Sequence, residues 1–278
     1  MSNPCAPPRR GGDANARLQL ISPELRGSEN STLAARPGEY KQDSGPVRLP
    51  QAGLPIARAA GGYQIIRRTR KMKLGEMTFG ANIKIPERQE DGSYKLADYT
   101  LGFFGAGVAA FIRKDIHSFC RFGDSTEYAG SDLDERMTEI YDSYPDELKE
   151  LIIPSTIPLY NGSGAEDITR KVFAPTMTMV GCGDNHGVDE GFTWPIFTGR
   201  NSRKKTFNGS AAYWWLFSQY SSDRAWYVYT DGSANYYGSP SVSNGVVPAF
   251  IILQSVQIDD TPDNDGSYRL TVLESYCS

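Results

Sequence analysis

Apolar and polar residues alternate over Thr78–Ile85, which predicts a strand, and Asp91-Gly92-Ser93 marks the turn beyond it. Gly107–Ile116 carries an apolar run, the pattern of a buried strand, and ends in Arg113-Lys114-Asp115-Ile116. The period then changes. Leu133, Met137, Ile140, Tyr141 and Tyr144 recur at helical spacing within Ser131–Tyr144, whose opening puts acidic residues at the positive end of a helix dipole. Pro145–Ile153 predicts a second short helix, with proline in its permitted first turn. Lys171–Val180 reads as a strand around Val172, Phe173, Met177 and Met179. Gly181–Asn208 has weak periodicity and is expected to be a long ordered loop region.

The last third predicts short strands at Tyr213–Ser218, Ala225–Thr230, Ala234–Gly238, Val246–Leu253 and Tyr268–Leu273. Asp231-Gly232-Ser233 and Asp263-Asn264-Asp265-Gly266 are the hairpin turns. Tyr213, Trp215 and Phe217 fall on one strand face, Trp214 and Leu216 on the other, so this strand is expected to be central. Val246–Leu253 is apolar throughout, with Pro248 at a bulge or an edge. These two segments are expected to share one sheet and leave the tyrosine-rich connections facing water. The expected fold class is α+β: two short helices followed by a twisted antiparallel sheet.

Residues 1–71 carry no such pattern; they are rich in Pro, Gly, Arg and Ser, with Tyr40 and Tyr63 the only aromatics. Their expected state is a disordered or extended arm ahead of one domain over 72–278. Arg67-Arg68 is also encodable as AGG-AGG, a ribosome-binding sequence three codons before Met72, so the alternative is upstream DNA read in frame. The arm holds twelve basic and five acidic residues, a balance of +7, which leaves −11 on the remainder of a chain whose net charge is −4. A body so acidic is a poor nucleic-acid binder. Four cysteines without CxxC spacing argue against a zinc site and a disulfide framework. No apolar run is long enough for membrane insertion, and the N-terminus lacks the apolar core of a signal peptide. A surface role would then need a particle released by lysis.

The C-terminal half resembles uncharacterised C-type-lectin-like domains of bacteria, phages and prophages, whose signature runs Trp-Trp-Leu-Arg-Ser-Pro, a Val-x-x-(Asp)-Gly strand pair, then Gly-Val-Arg-Pro-Ala. The matching stretches here are Asn208-Gly-Ser-Ala-Ala-Tyr-Trp-Trp-Leu-Phe-Ser-Gln219, Trp226-Tyr-Val-Tyr-Thr-Asp-Gly232 and Gly245-Val-Val-Pro-Ala-Phe-Ile-Ile-Leu253. Leu74-Gly-Glu-Met-Thr-Phe-Gly80, Ile112-Arg-Lys-Asp-Ile116 and Lys171-Val-Phe173 keep the order upstream. Phe217 and Val247 stand where the signature has arginine and Gln219 where it has proline, so apolar packing replaces whatever the arginines hold. The resemblance implies a C-type-lectin-like fold and a ligand surface near the C-terminus.

Tyr220–Asn244 has the composition of a paratope, in which rigid aromatics give contact area and small polar residues adapt their hydrogen bonds. The candidate ligand-binding residues are Tyr220, Asp223, Arg224, Trp226, Tyr236 and Tyr237, against the plainer reading of ordinary strand residues. Asn, Tyr and Ser density is also compatible with a segment diversified by a retroelement. Asp259, Asp260, Asp263, Asn264 and Asp265 suggest calcium, but Thr261 stands where the loop pattern needs Asp, which favours a solvated turn. Asp184, Asn185, His186, Asp189 and Glu190 are metal-ligand types without a standard spacing. His117 and His186 are the only histidines, and no Gly-x-Ser-x-Gly elbow accompanies them. A formylglycine-generating-oxidase-like enzyme would need Cys182 and Cys277 to meet in space.

The resulting expectation is a non-enzymatic phage or prophage protein on the tail or virion surface, binding a host-surface glycan or protein without a cofactor. Other virion subunits and further copies of itself, in a homo-oligomer, are its expected partners. The alternatives are a purely structural decoration subunit and the oxidase-like enzyme.

Overall fold

The computed structural model describes residues 71–276, the side chain of Tyr237 excepted. The readings of the basic arm over residues 1–70, and of Cys5 and Cys277, lie outside the described residues. In chain order the first strands are β1 (Lys71–Lys73), β2 (Asn82–Arg88), β3 (Tyr94–Gly105), β4 (Val108–Arg113) and β5 (Ser118–Arg121). Helices α1 (Asp132–Ser143) and α2 (Asp146–Leu151) follow, then β6 (Ser155–Tyr160), β7 (Ala165–Arg170), β8 (Val172–Phe173) and the one-turn α3 (Arg200–Arg203). The remaining strands are β9 (Lys205–Phe207), β10 (Ser210–Ala212), β11 (Trp214–Ser221), β12 (Arg224–Val228), β13 (Ala234–Gly238) and β14 (Ser243–Val246). Last come β15 (Ala249–Leu253), β16 (Gln257–Asp259) and β17 (Tyr268–Arg269).

The α+β, C-type-lectin-like expectation is therefore corrected. Strands take 41% of the described residues against 15% for helices, and they precede, separate and follow the helices in several sheets. One sheet has six strands in the order β17-β2-β3-β4-β15-β8, another five in the order β13-β12-β11-β14-β5, and three are two-stranded. The excess strands were missed for a physical reason. In the β6–β7 hairpin only Ile157, Leu159 and Ile168 are buried, so too few apolar positions alternate to register as a pattern.

Helix α1 forms where its sequence says. Ser131 accepts a hydrogen bond from the Asp134 amide at 3.2 Å, three acidic residues fill the first turn, and Leu133, Met137 and Ile140 are buried. Tyr144 is extended because Pro145 follows it, and the helix stops there. Arg170 of β7 closes a two-pronged pair on the Asp134 carboxylate at 2.6 and 2.7 Å, which fastens the helix to the hairpin.

Strands β4 and β15 are buried along nearly their whole length and pair antiparallel, Ala249 opposite Ile112, in the middle of the larger sheet. At the end of β4, Arg113 spans both oxygens of the buried Glu87 at 2.8 and 3.0 Å. Tyr99 donates to the same carboxylate at 2.9 Å and touches the Tyr144 hydroxyl at 2.6 Å. The Arg113-Lys114-Asp115-Ile116 stretch is thus a structural clamp in which a buried charge has its partner.

The double-tryptophan and Pro-Ala segments do not share one sheet as expected. Trp214 pairs with Gly245 in the five-stranded sheet, after which the chain passes through Val247-Pro248 into β15 of the six-stranded sheet. Pro248 has no N–H to give, so the crossing falls where a ladder must end. Gly245 is required at this junction. A Cβ there would lie 2.7 Å from Ile116 Cδ1 and 2.8 Å from the Tyr213 carbonyl oxygen. We expect Gly245→Ala to cost about 2 kcal/mol in a denaturant titration; a stability equal to the parent would show that the junction can open.

Candidate functional site

Strand β12 alternates, so Trp226 leaves by one face and Tyr227 by the other. A register shift between Ala225 and Tyr227 sets Trp226 against the Tyr236–Tyr237 step of β13. The consequence is a pile of rings. Tyr220 stacks on Tyr236 with centroids 4.1 Å apart, and Trp226 stands nearly perpendicular to both at 5.6 and 5.4 Å. The His186 ring lies 5.1 Å from that of Tyr220, and Tyr160 of β6 sits tilted against His186 at 4.4 Å. Tyr160, His186, Tyr220 and Tyr236 form one continuous run, half-buried except for the exposed His186.

A buried polar network holds this run from beneath. Trp226 Nε1 donates to Asn185 Oδ1 at 3.0 Å, and Asn185 Nδ2 donates to Glu190 Oε1 at 2.9 Å and to the Gln219 carbonyl at 2.7 Å. The Tyr160 amide also donates to Glu190 Oε1 at 3.0 Å, while the Ser218 hydroxyl donates to Oε2 and accepts from the Met177 amide. Glu190 is fully buried, and burial pushes its carboxyl up from the ordinary range despite the bonds from Asn185 and Ser218. His186 sits in the left-handed region, φ 53°, and its Nε2 meets the Tyr220 carbonyl at 3.0 Å. Asp184 accepts from the Gly187 amide and closes the turn. The polar stretch Asp184–Glu190 is therefore the footing of the aromatic run.

Of the six residues singled out from sequence, Tyr220, Trp226 and Tyr236 come together. Asp223 and Arg224 sit instead at the tip of the β11–β12 hairpin, where Arg224 bonds the Asp223 carbonyl at 2.8 Å and Asp223 accepts from Ser221. The Tyr237 side chain lies outside the described residues. Tyr160 escaped sequence reasoning, and Asn185, His186 and Glu190 stood out only as metal-ligand types. The dense polar types of 184–190 were the one signal, and nothing local marks Tyr160.

Beside Tyr160 opens a small cleft. Its lining combines Tyr128, Leu159, Ile168 and Phe217 with Glu127, Glu166, Asn161 and Gln219. Phe217 is buried and lies 3.5 Å, centroid to centroid, from Tyr128, so apolar packing occupies this position. Val247 is also fully buried.

The other chemical candidates find structural partners. Asp263 pairs with Arg269 at 2.8 Å and Asp265 with Lys84 at 2.6 Å, which commits those carboxylates to the turn. Among the described residues, no group of three His, Cys, Asp or Glu side chains comes together as a metal site. Burial pushes the Cys120 thiol up to about 11, far from thiolate character at neutral pH. The proposed meeting of Cys182 with Cys277 falls outside the described residues. Among those residues no helix is long and apolar enough to cross a membrane.

Residues 108–254 match the family model described as a domain of unknown function, DUF6273, a span that holds the whole aromatic run and its footing. None of the curated proteins and none of the solved structures matches the chain.

Proposed function

We propose that this chain, which belongs to the DUF6273 family, is a non-enzymatic recognition module that binds a surface glycan along the run Tyr160–His186–Tyr220–Tyr236 with Trp226. The observation that carries this reading is the fixed stack of rings at the surface. Aromatic side chains lose little entropy on binding; inside the run the ring faces cover one another, so it offers ring edges to a sugar's C–H groups and phenol hydroxyls to the sugar's own hydroxyls. The footing through Asn185 and Glu190 keeps the rings in place before any ligand arrives, so little ordering remains to be done on binding. The resemblance to domains of phages and bacteria suggests display on a particle or cell surface, where several weak sites act together.

The test is a glycan array followed by titration of the best ligand. Tyr220→Ala with Tyr236→Ala removes the central stacked pair, and we expect a loss of about thirtyfold, equivalent to roughly 2 kcal/mol. A double variant that keeps the parent's circular dichroism and melting temperature, yet binds as the parent does, removes the run from the site.

A further inference from the structure

One residue of the ring run breaks the rule of its own turn. Asn185 and Val188 exchange both backbone hydrogen bonds, at 2.9 and 3.0 Å, so His186 and Gly187 are the central residues of a tight hairpin turn. Both have positive φ, 53° and 81°, the arrangement for which Asn-Gly is the preferred pair. Glycine stands where it should. Histidine stands where asparagine would fit with less strain, so the turn itself does not call for an imidazole. The surroundings of the ring do. Tyr160 of β6 and Tyr220 of β11 flank it with centroids at 4.4 and 5.1 Å, and Nε2 meets the Tyr220 carbonyl at 3.0 Å. A carbonyl oxygen only accepts, so Nε2 carries the hydrogen and the neutral ring keeps a bare acceptor at Nδ1. The side chain is exposed, and no other protein group hydrogen-bonds it among the described residues.

Resting on the reading of the ring run as a glycan site, we infer that Nδ1 of His186 is the polar contact that sets which sugar the site takes. The neutral ring accepts a hydrogen bond from a sugar hydroxyl. Protonation puts a hydrogen on Nδ1, and the same atom then donates to the carboxylate of an acidic sugar. Tyrosine rings within about 6 Å on two sides suit the cation as well as the neutral ring. The titratable groups that face the imidazole are these two phenols. Its own loop carries Asp184, taken by the Gly187 amide at 2.6 Å, and Asp189, while Glu190 lies buried behind Asn185. Among the described residues none of these carboxylates forms an ion pair with the ring.

The experiment uses the full chain and has two readouts. The first needs no ligand: nitrogen NMR of the neutral imidazole should place its hydrogen on Nε2, and a hydrogen on Nδ1 overturns the inference. The second compares pairs of array glycans that differ only in one carboxylate-bearing sugar, at about pH 8 and about pH 5.5, on either side of the ordinary histidine range. The ratio of acidic to neutral binding should rise about threefold in acid, the effect of one exposed ion pair. His186→Asn puts a residue suited to the turn in place and cannot titrate, so its ratio should stay level. His117, Glu190 and Lys205 are common to both proteins and cancel in the comparison. A parent ratio that ignores pH, or an asparagine variant whose ratio moves as much, overturns the inference. If the ratio ignores pH while binding is lost in Tyr220→Ala with Tyr236→Ala, the role of His186 falls and the ring run stands. If no array glycan binds at either pH, or every bound glycan is indifferent to that pair of substitutions, the glycan reading falls and takes this one with it.

Discussion

Glu190→Ala is expected to lower the unfolding free energy by roughly 3–5 kcal/mol and to release Trp226 from its fixed setting. Glu190 is fully buried and accepts from the Tyr160 amide, the Asn185 amide group and the Ser218 hydroxyl. Alanine leaves those donors facing a cavity, and each unpaired buried group costs about 1–3 kcal/mol, reduced where water enters or a second partner remains. Asn185 does keep its bond to the Gln219 carbonyl, which sets the expectation below the simple sum. The footing would loosen, and Trp226 emission should shift to the red. Glu190→Gln is the informative control. It retains an acceptor for Tyr160 and Asn185, but puts an N–H where Oε2 accepted, so the Ser218 hydroxyl loses its acceptor, a loss of about 1–2 kcal/mol. The pH profile separates charge from shape. The folded carboxyl titrates above its ordinary value, so the stability linked to its proton is fully present in acid and is lost as pH rises through the folded value. Glu190→Gln should lack that decline. An alanine variant as stable as the parent would mean that the loop 184–190 is anchored elsewhere.

Lys205 supplies the second large effect. Its ammonium is buried, with one hydrogen bond to the Arg113 carbonyl at 2.6 Å, and burial pushes its pKa down from 10.5 to about 7. A lysine whose folded pKa lies below its unfolded one destabilises the fold wherever both states would carry the charge. The penalty is therefore complete below about 7, fades between about 7 and 10.5, and vanishes above. At 1.36 kcal/mol per unit the full penalty is roughly 4–5 kcal/mol. Lys205→Met leaves the Arg113 carbonyl without that donor, which costs about 1 kcal/mol, so the variant should be more stable by about 3 kcal/mol at pH 6. Its advantage should disappear by pH 10 to 11. Urea titrations of both proteins across that range give the difference directly, since all other titrating groups are common to the two. A methionine variant less stable at pH 6 would show that the ammonium is better satisfied than this geometry implies.

What could be read from the chain followed from local patterns. Ser131 with the acidic residues behind it specified the start of α1, Pro145 ended it, and Asp231-Gly232-Ser233 made the turn it spells. The unbroken apolar character of Val108–Ile112 and of Ala249–Ile252 required burial on both faces, and both are buried. Composition also singled out Tyr220, Trp226 and Tyr236 as candidates, and their rings meet in the fold. Neighbours along the chain and the chemistry of each residue sufficed for these.

Tertiary structure decided the rest, since each remaining feature joins residues far apart in sequence. Val247-Pro248 sends one apolar stretch into two sheets, a choice governed by where strand β11 finds Gly245. Tyr160 meets His186, and His186 meets Tyr220, only because β6, the 184–190 turn and β11 are brought side by side. Glu190, in the sequence a metal-ligand type without a standard spacing, is the buried anchor of the ring run, since its three donors come from 160, 185 and 218. A pattern of polarity records how often a residue type faces water. Which partner a buried polar group finds is set by the packing of distant strands.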